Sequence, residues 1–280
     1  MTTPTNVTST NWSGAVLTAA TGQSVSSVSA EWVVPAVSQV PAGNTATSDV
    51  SEWVGIDGYN TSDVCQAGIQ ETVQTAGGKT SVSVSAWDEW YPAGANTIAA
   101  SSFAVKAGDT IKITVQTLGA GSSSASFIFD DVTTGKTYDA SLTAPKGTTL
   151  AGNSAEVVVE TPEWTTGSQT SQPLLADFLN TPVTFKDIAA TYKSGAAANL
   201  SSALSIGMET NAAPGSKGTY VQEAYGSVNA AADSVSVTEN DYWGSSSATA
   251  PTKPGTPSTP HWAPPPPDVS LSWSRHHWWG

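Results

Sequence analysis

Apolar and polar residues alternate with a period of two along most of this chain. The alternation is plain in Val25-Ser26-Ser27-Val28-Ser29-Ala30-Glu31-Trp32, in Ser81-Val82-Ser83-Val84-Ser85-Ala86 and in Ile111-Lys112-Ile113-Thr114-Val115. It returns in Ala155-Glu156-Val157-Val158-Val159-Glu160 and in Val235-Ser236-Val237-Thr238. Successive side chains of a strand point to opposite faces, so each segment is predicted as a strand with one face turned to a core. Turn residues separate the runs at Asp57-Gly58, Gly77-Gly78, Ala107-Gly108-Asp109 and Thr134-Gly135-Lys136. Helical spacing with caps is scarce; Leu175 to Phe178 is expected to make one short turn at most. Many short antiparallel strands with one polar face predict an all-β fold, an antiparallel β-sandwich. No internal repeat is evident.

The pattern ends after Gly244. Residues 245–280 hold eight of the seventeen prolines, including Pro264 to Pro267, and no periodic apolar positions. They are expected to form a disordered, proline-rich tail, closing on Trp273-Ser274-Arg275-His276-His277-Trp278-Trp279-Gly280. The expected organisation is a flexible N-terminus over 1–10, one β-sandwich domain over 11–244, and the tail over 245–280.

Composition removes several functions. With 23 Asp plus Glu against 10 Lys plus Arg, the net charge is −13, which argues against a nucleic-acid partner. The 39% hydrophobic content supplies a core, and only 12% of residues are charged. All three His (His261, His276, His277) and the sole Arg, Arg275, lie beyond residue 260. A Ser-His-Asp triad, a Cys-His pair, a His-ligated zinc and an arginine phosphate clamp are therefore unavailable to the domain. Chemistry there rests on carboxylates, amides, hydroxyls, Lys or Cys65, which has no second Cys to bridge to. No apolar run is long enough to span a membrane, and the first twenty residues show no export signal. A chain so poor in basic residues forms few salt bridges that acid could break, which suits acid tolerance.

Three segments concentrate unusual residues. In Trp87-Asp88-Glu89-Trp90-Tyr91-Pro92, continuing the strand from Ser81 puts Trp87 and Glu89 on the face of Ser81, Ser83 and Ser85. A carboxylate beside an indole there is either a cleft floor or the solvated end of the core. In Ala155–Glu160, Glu156, Val158 and Glu160 share a face, either as solvent-facing decoration or in a partly apolar groove with a raised pKa. Ser51-Glu52-Trp53-Val54-Gly55-Ile56-Asp57-Gly58 reads as a strand entering a tight turn, followed by Cys65-Gln66-Ala67-Gly68. Gln66 gains meaning only if a carboxylate faces it.

Taken in order, these pieces resemble the glutamic peptidases, or eqolisins. The resemblance is carried by Asn11-Trp12-Ser13-Gly14, Trp53 to Gly58, Gln66-Ala67-Gly68, Ala86 to Pro92, Ala107 to Ile111, Thr133 to Lys136 and Ala155 to Glu160. It runs from about residue 11 to at least 195. It implies a concanavalin A-like sandwich of two curved antiparallel sheets, with a substrate groove on the concave side. It also implies a catalytic pair of one Gln and one Glu, carried over onto Gln66 and Glu160. Trp12, Trp53, Asp57, Trp87 and Glu89 match groove positions that shape the site or contact substrate. Gln70 and Gln74 stand close by as competing amides for the role of Gln66. The fungal members carry disulfides that this chain cannot form internally.

The function expected from the resemblance is hydrolysis of peptide bonds in acid by a pepstatin-insensitive endopeptidase. Glu160 would act on a water and Gln66 would stabilise the oxyanion. No cofactor or metal is implied, the partners are polypeptide substrates, and a monomer secreted to the exterior is expected. Two other readings share the fold class. A lectin or glycoside hydrolase would use Glu89 and Glu160 as its carboxylate pair with Trp platforms for sugars. A non-catalytic adhesion module would use the sandwich as scaffold and the tail as anchor.

Overall fold

The computed structural model describes residues 6–40, 47–162, 164–166, 169–171, 173–178, 181–211 and 219–244. The strands, in chain order, are β1 (Asn6–Ser9), β2 (Trp12–Thr18), β3 (Val25–Val33), β4 (Thr47–Asp57), β5 (Val64–Ala76), β6 (Lys79–Tyr91) and β7 (Asn96–Thr97). After them come β8 (Thr110–Thr117), β9 (Ser124–Asp131), β10 (Lys136–Thr143), β11 (Ser154–Glu160), β12 (Trp164–Thr166), β13 (Gln169–Ser171) and β14 (Leu174–Leu175). The remainder are β15 (Val183–Tyr192), β16 (Leu204–Asn211), β17 (Thr219–Asn229), β18 (Ser234–Glu239) and β19 (Tyr242–Gly244). Seventeen of them hydrogen-bond into one continuous, mainly antiparallel sheet, and β12 with β13 forms a separate hairpin.

All five alternating segments lie in strands, β3, β6, β8, β11 and β18, and the four turn signals fall between strands or at their ends, with Asp57 closing β4 and Lys136 opening β10. Two expectations differ from the structure. Residues 6–9, expected to be flexible, form β1 and pair in parallel with β16. Leu175 to Phe178 is not helical: Leu174–Leu175 pairs in parallel with β4, and Asp177 bridges Ser38. The proline-rich tail over 245–280 lies outside the described residues.

The site depends on the arm β2–β11–β4–β5–β6, in which each strand is antiparallel to the next. Period two gives this arm two faces. One face sends Ala155, Val157, Val159, Val54, Ile56, Ala67, Ile69 and Ala86 into the main core, where they join Val28, Ile113, Phe127 and Phe129 from the arm β3–β8–β9. The other face carries Trp12, Val16, Trp53, Trp87 and Val158 in a second, smaller cluster. That second face holds the candidate chemistry.

Candidate active site

Register fixes the layout of the second face. One cross-strand row reads Val16, Glu156, Gly55, Gln66, Glu89. The next reads Gly14, Val158, Trp53, Gly68, Trp87, and the third reads Trp12, Glu160, Ser51, Gln70, Ser85. Trp53 and Trp87 flank Gly68, and only a residue without a side chain fits between them. A Cβ there would lie 2.4 Å from the Glu52 carbonyl oxygen, 2.6 Å from Trp53 Cβ and 2.9 Å from Trp87 Cζ2. The glycine two residues after Gln66 is thus a consequence of the two indoles.

Glu160 is almost fully buried, at 3% exposure. Asn11 Nδ2 donates to its Oε1 at 2.9 Å, and Trp53 Nε1 donates to its Oε2 at 2.8 Å. A donor on each oxygen favours the charged form and fixes the plane of the carboxylate. Asn11 is itself held by Ser9, whose hydroxyl donates to Asn11 Oδ1 at 3.2 Å. Trp53 belongs to the middle row, between the rows of Glu160 and Gln66.

Gln66 Nε2 donates to Glu89 Oε2 at 2.6 Å, across neighbouring strands at paired positions. Burial pushes Glu89 well above the ordinary carboxylate range; the Gln66 amide opposes the shift, and the negative charge of Glu160 adds to it. Glu160 therefore lies close enough for its field to be felt at the Gln66–Glu89 pair. An amide nitrogen carries two hydrogens, so Gln66 keeps a second N–H beyond the one given to Glu89.

The remaining expected site residues divide. Trp87 Nε1 donates to Ser51 Oγ at 3.0 Å, and Ser51 Oγ donates to the Ile69 carbonyl at 2.9 Å. The Trp12 ring meets Trp53 edge-on, with centroids 4.9 Å apart. Asp57 is engaged differently. It has φ 66°, is buried, and accepts the backbone N–H of Ala151, Gly152 and Asn153 at 2.7, 2.8 and 2.8 Å. Its carboxylate clamps the segment that leads into β11, which sets the register of Glu160. Burial raises its pKa, against the lowering by those amides.

Glu156 directly shares the row of Gln66. It is fully buried, and desolvation raises its pKa well above the ordinary value; the Ser154 hydroxyl counters only in part. Cys65, on the core side of β5, is buried with its thiol pKa pushed up, chiefly by desolvation. It is a poor nucleophile there. Among the described residues, no group of His, Cys, Asp and Glu is arranged to hold a metal.

Sequence reasoning missed Asn11 as a partner of Glu160, although it placed Asn11 in a motif. A side-chain amide 149 positions away leaves no local signal. It also missed Asp49, which lies on the same face and accepts from Gln70, the amide weighed against Gln66.

Comparison with known proteins supplies the lineage. The chain matches the model of the Peptidase A4 family over residues 10–238. It is 32% identical over 199 residues to aspergillopepsin-2 of Aspergillus niger, covering 65% of this chain and 64% of that protein. The chain thus spans less than two thirds of the length of that relative. The crystal structure of aspergilloglutamic peptidase from Aspergillus niger superposes with a TM-score of 0.51 at 30% identity, covering 68% of this chain and 98% of that one. Scytalido-glutamic peptidase, solved with a transition-state analogue inhibitor, superposes with a TM-score of 0.64 at 24% identity, over 82% of this chain and 98% of that one, a likeness of fold. With 229 of its 280 residues inside the family's pattern, this chain belongs to the Peptidase A4 family, the glutamic peptidases or eqolisins.

Proposed function

We propose that this protein is a glutamic endopeptidase that hydrolyses peptide bonds in acid through Glu160 and Gln66. The observation that carries the reading is the environment of Glu160. Its two oxygens are each held by a side-chain donor, on the face that also carries the Gln66 amide. Hydrolysis of an amide needs an activated water, a stabilised oxyanion and a proton for the leaving nitrogen. Glu160, as carboxylate, takes a proton from a water as the water oxygen attacks the scissile carbonyl carbon. The second Nε2 hydrogen of Gln66 donates to the oxyanion that forms. Glu160 then returns the proton to the amine as the C–N bond breaks. One donor of the Gln66 type is worth about 3 kcal/mol in the transition state.

Glu89, held protonated by burial, does not compete as a base. It orients the Gln66 amide instead. Glu156 is likewise kept neutral by burial, which supports Glu160 as the base despite the closer register of Glu156. Trp12, Trp53 and Trp87 shape the groove, and Asp57 acts on it through the frame of β11. The fold in this reading is a sandwich of two curved sheets of the concanavalin A-like type, with the groove on its concave side. Polypeptides are the substrates, the protein acts as a monomer, and it works outside the cell.

The reading is tested by cleavage of an unfolded protein across about pH 2–7, a range that brackets the free Glu value near 4.3. Wild type is run beside Gln66→Ala and Glu160→Gln, with pepstatin present throughout. Pepstatin-resistant cleavage that both substitutions abolish is expected. Folded wild-type protein that cleaves nothing at any pH would overturn it.

A further inference from the structure

Beyond Glu160, on the side away from Gln66, the groove face carries a second amide–acid pair that the proposed chemistry does not use. Gln70 Nε2 donates to Asp49 Oδ1 at 3.3 Å, and Thr72 Oγ1 donates to the same oxygen at 2.5 Å. Asp49, Thr72 and Ser83 form the row that follows Ser51, Gln70 and Ser85. Asp49 is fully buried and Gln70 is 3% exposed, yet Gln70 Oε1 has no hydrogen-bond partner. A buried amide oxygen favours a donor, and a bound ligand that supplies one would satisfy it. Gln70 pairs in register with Ser51, and Ser51 with Glu160. The unpartnered oxygen is therefore in the same row as the proposed base, two strands across.

We propose that Gln70, Asp49 and Thr72 form a specificity subsite that takes a cationic side chain, Lys or Arg, of the substrate residue flanking the scissile bond on the Glu160 side. The inference rests on the peptidase reading and deepens it. The chemistry of the cluster sets the preference: Gln70 Oε1 is an acceptor, and the nitrogen of the same amide donates to the Asp49 carboxyl at 3.3 Å. An ammonium or guanidinium is a donor without acceptor character, and satisfies the amide oxygen while placing its charge beside Asp49. An acidic substrate side chain would bring a further acceptor against the Gln70 oxygen and the Asp49 carboxyl. An apolar one would leave Oε1 unpaired, and sites built to pair a polar group discriminate strongly against analogues that lack it.

The test uses quenched-fluorescence peptides in pairs. Each pair carries Lys or its uncharged isostere norleucine at one of the two positions on either side of the cleaved bond, and kcat/KM is measured for wild type, Gln70→Met and Asp49→Asn. Wild type is expected to favour Lys by at least about tenfold at one position, equivalent to about 1.4 kcal/mol. Each substitution is expected to bring that ratio within about threefold of unity. Circular dichroism checks the fold of both variants, and either one that folds is sufficient. A wild-type ratio near unity at every position would overturn the inference while leaving the peptidase reading intact, as would a ratio that a folded variant does not change. Failure of wild type to cleave either peptide at any pH would overturn the peptidase reading and the subsite together.

Discussion

Strands β4 and β5 carry buried carboxyl groups on both of their faces, and the side-chain donors that reach those groups differ. On the groove face, Asp49 and, through β11, Glu160 are met by side-chain donors: Gln70 and Thr72 for one, Asn11 and Trp53 for the other. On the core face, Glu52 lies against Glu71 and the Trp32 indole, among the aliphatic side chains between the two arms. Burial there pushes Glu52 up to about 8 and Glu71 well above the ordinary range. The residue type is the same, and one step of the strand separates the two environments. Converging donors favour the charged form of a carboxyl group, and burial without them favours the protonated form.

This contrast divides labour among the buried carboxyls. In the proposed mechanism Glu160, held by Asn11 and Trp53, is the base. The core face supplies groups that are harmless only while protonated, which ties the fold to acid. In the unfolded chain these carboxyls titrate near 4.5, whereas in the folded chain Glu52 does so near 8. Between those values the folded state binds more protons than the unfolded state, so stability is fullest below about pH 4.5 and falls as pH rises toward 8. Glu239, raised to about 9 mainly by desolvation, pulls the same way.

The largest effect expected from breaking the groove side is on rate. Glu160→Gln should lower kcat by about 1,000-fold or more, and Gln66→Ala by about 100- to 1,000-fold, both with the fold retained, as read by steady-state kinetics and circular dichroism. Removing a single donor is milder. Trp53→Phe keeps a ring but not its N–H, and Asn11→Ala removes the other donor; each should cost about 10- to 100-fold in kcat, in line with about 1.5–3 kcal/mol per charged hydrogen bond. Asp57→Ala tests the frame. Loss of a carboxylate that holds three amides should cost about 2 kcal/mol of stability, seen as a lower midpoint in urea at pH 4. The core side is tested by Glu52→Gln with Glu71→Gln. Melting temperatures from pH 4 to 9 should fall steeply for wild type and less steeply for the double variant. Equal slopes would remove the core pair from the account.

Much of this arrangement was legible in the sequence because β structure repeats every two residues. The alternation of β6 and β11 gave the faces on which Trp87, Glu89, Glu156 and Glu160 lie, and the absence of His and Arg from the domain confined its chemistry to carboxylates and amides. The resemblance to the eqolisins pointed to Gln66 where spacing alone left a lone Gln without meaning. What stayed hidden was long-range. Nothing near Asn11 announces a bond to Glu160, and no local pattern marks Glu52 and Glu71 as core-facing, since both faces of β4 and of most of β5 are buried. β1 was hidden for a related reason: four residues, two of them β-branched, form a strand there because β16 offers an edge. Asp57 was read as a groove residue, and its left-handed backbone and three amide partners appear only in three dimensions.

The central claim is that donors, and not proximity in register, choose the catalytic carboxylate. Glu156 and Glu160 lie on the same face of one strand; Glu156 shares the row of Gln66, and Glu160 has Asn11 and Trp53. The direct measurement is kcat for Glu156→Gln and Glu160→Gln on one peptide at one acid pH, with both proteins shown to be folded. The account predicts loss of about 1,000-fold or more for Glu160→Gln, and activity within about tenfold of wild type for Glu156→Gln. An inactive Glu156→Gln beside an active Glu160→Gln would contradict it.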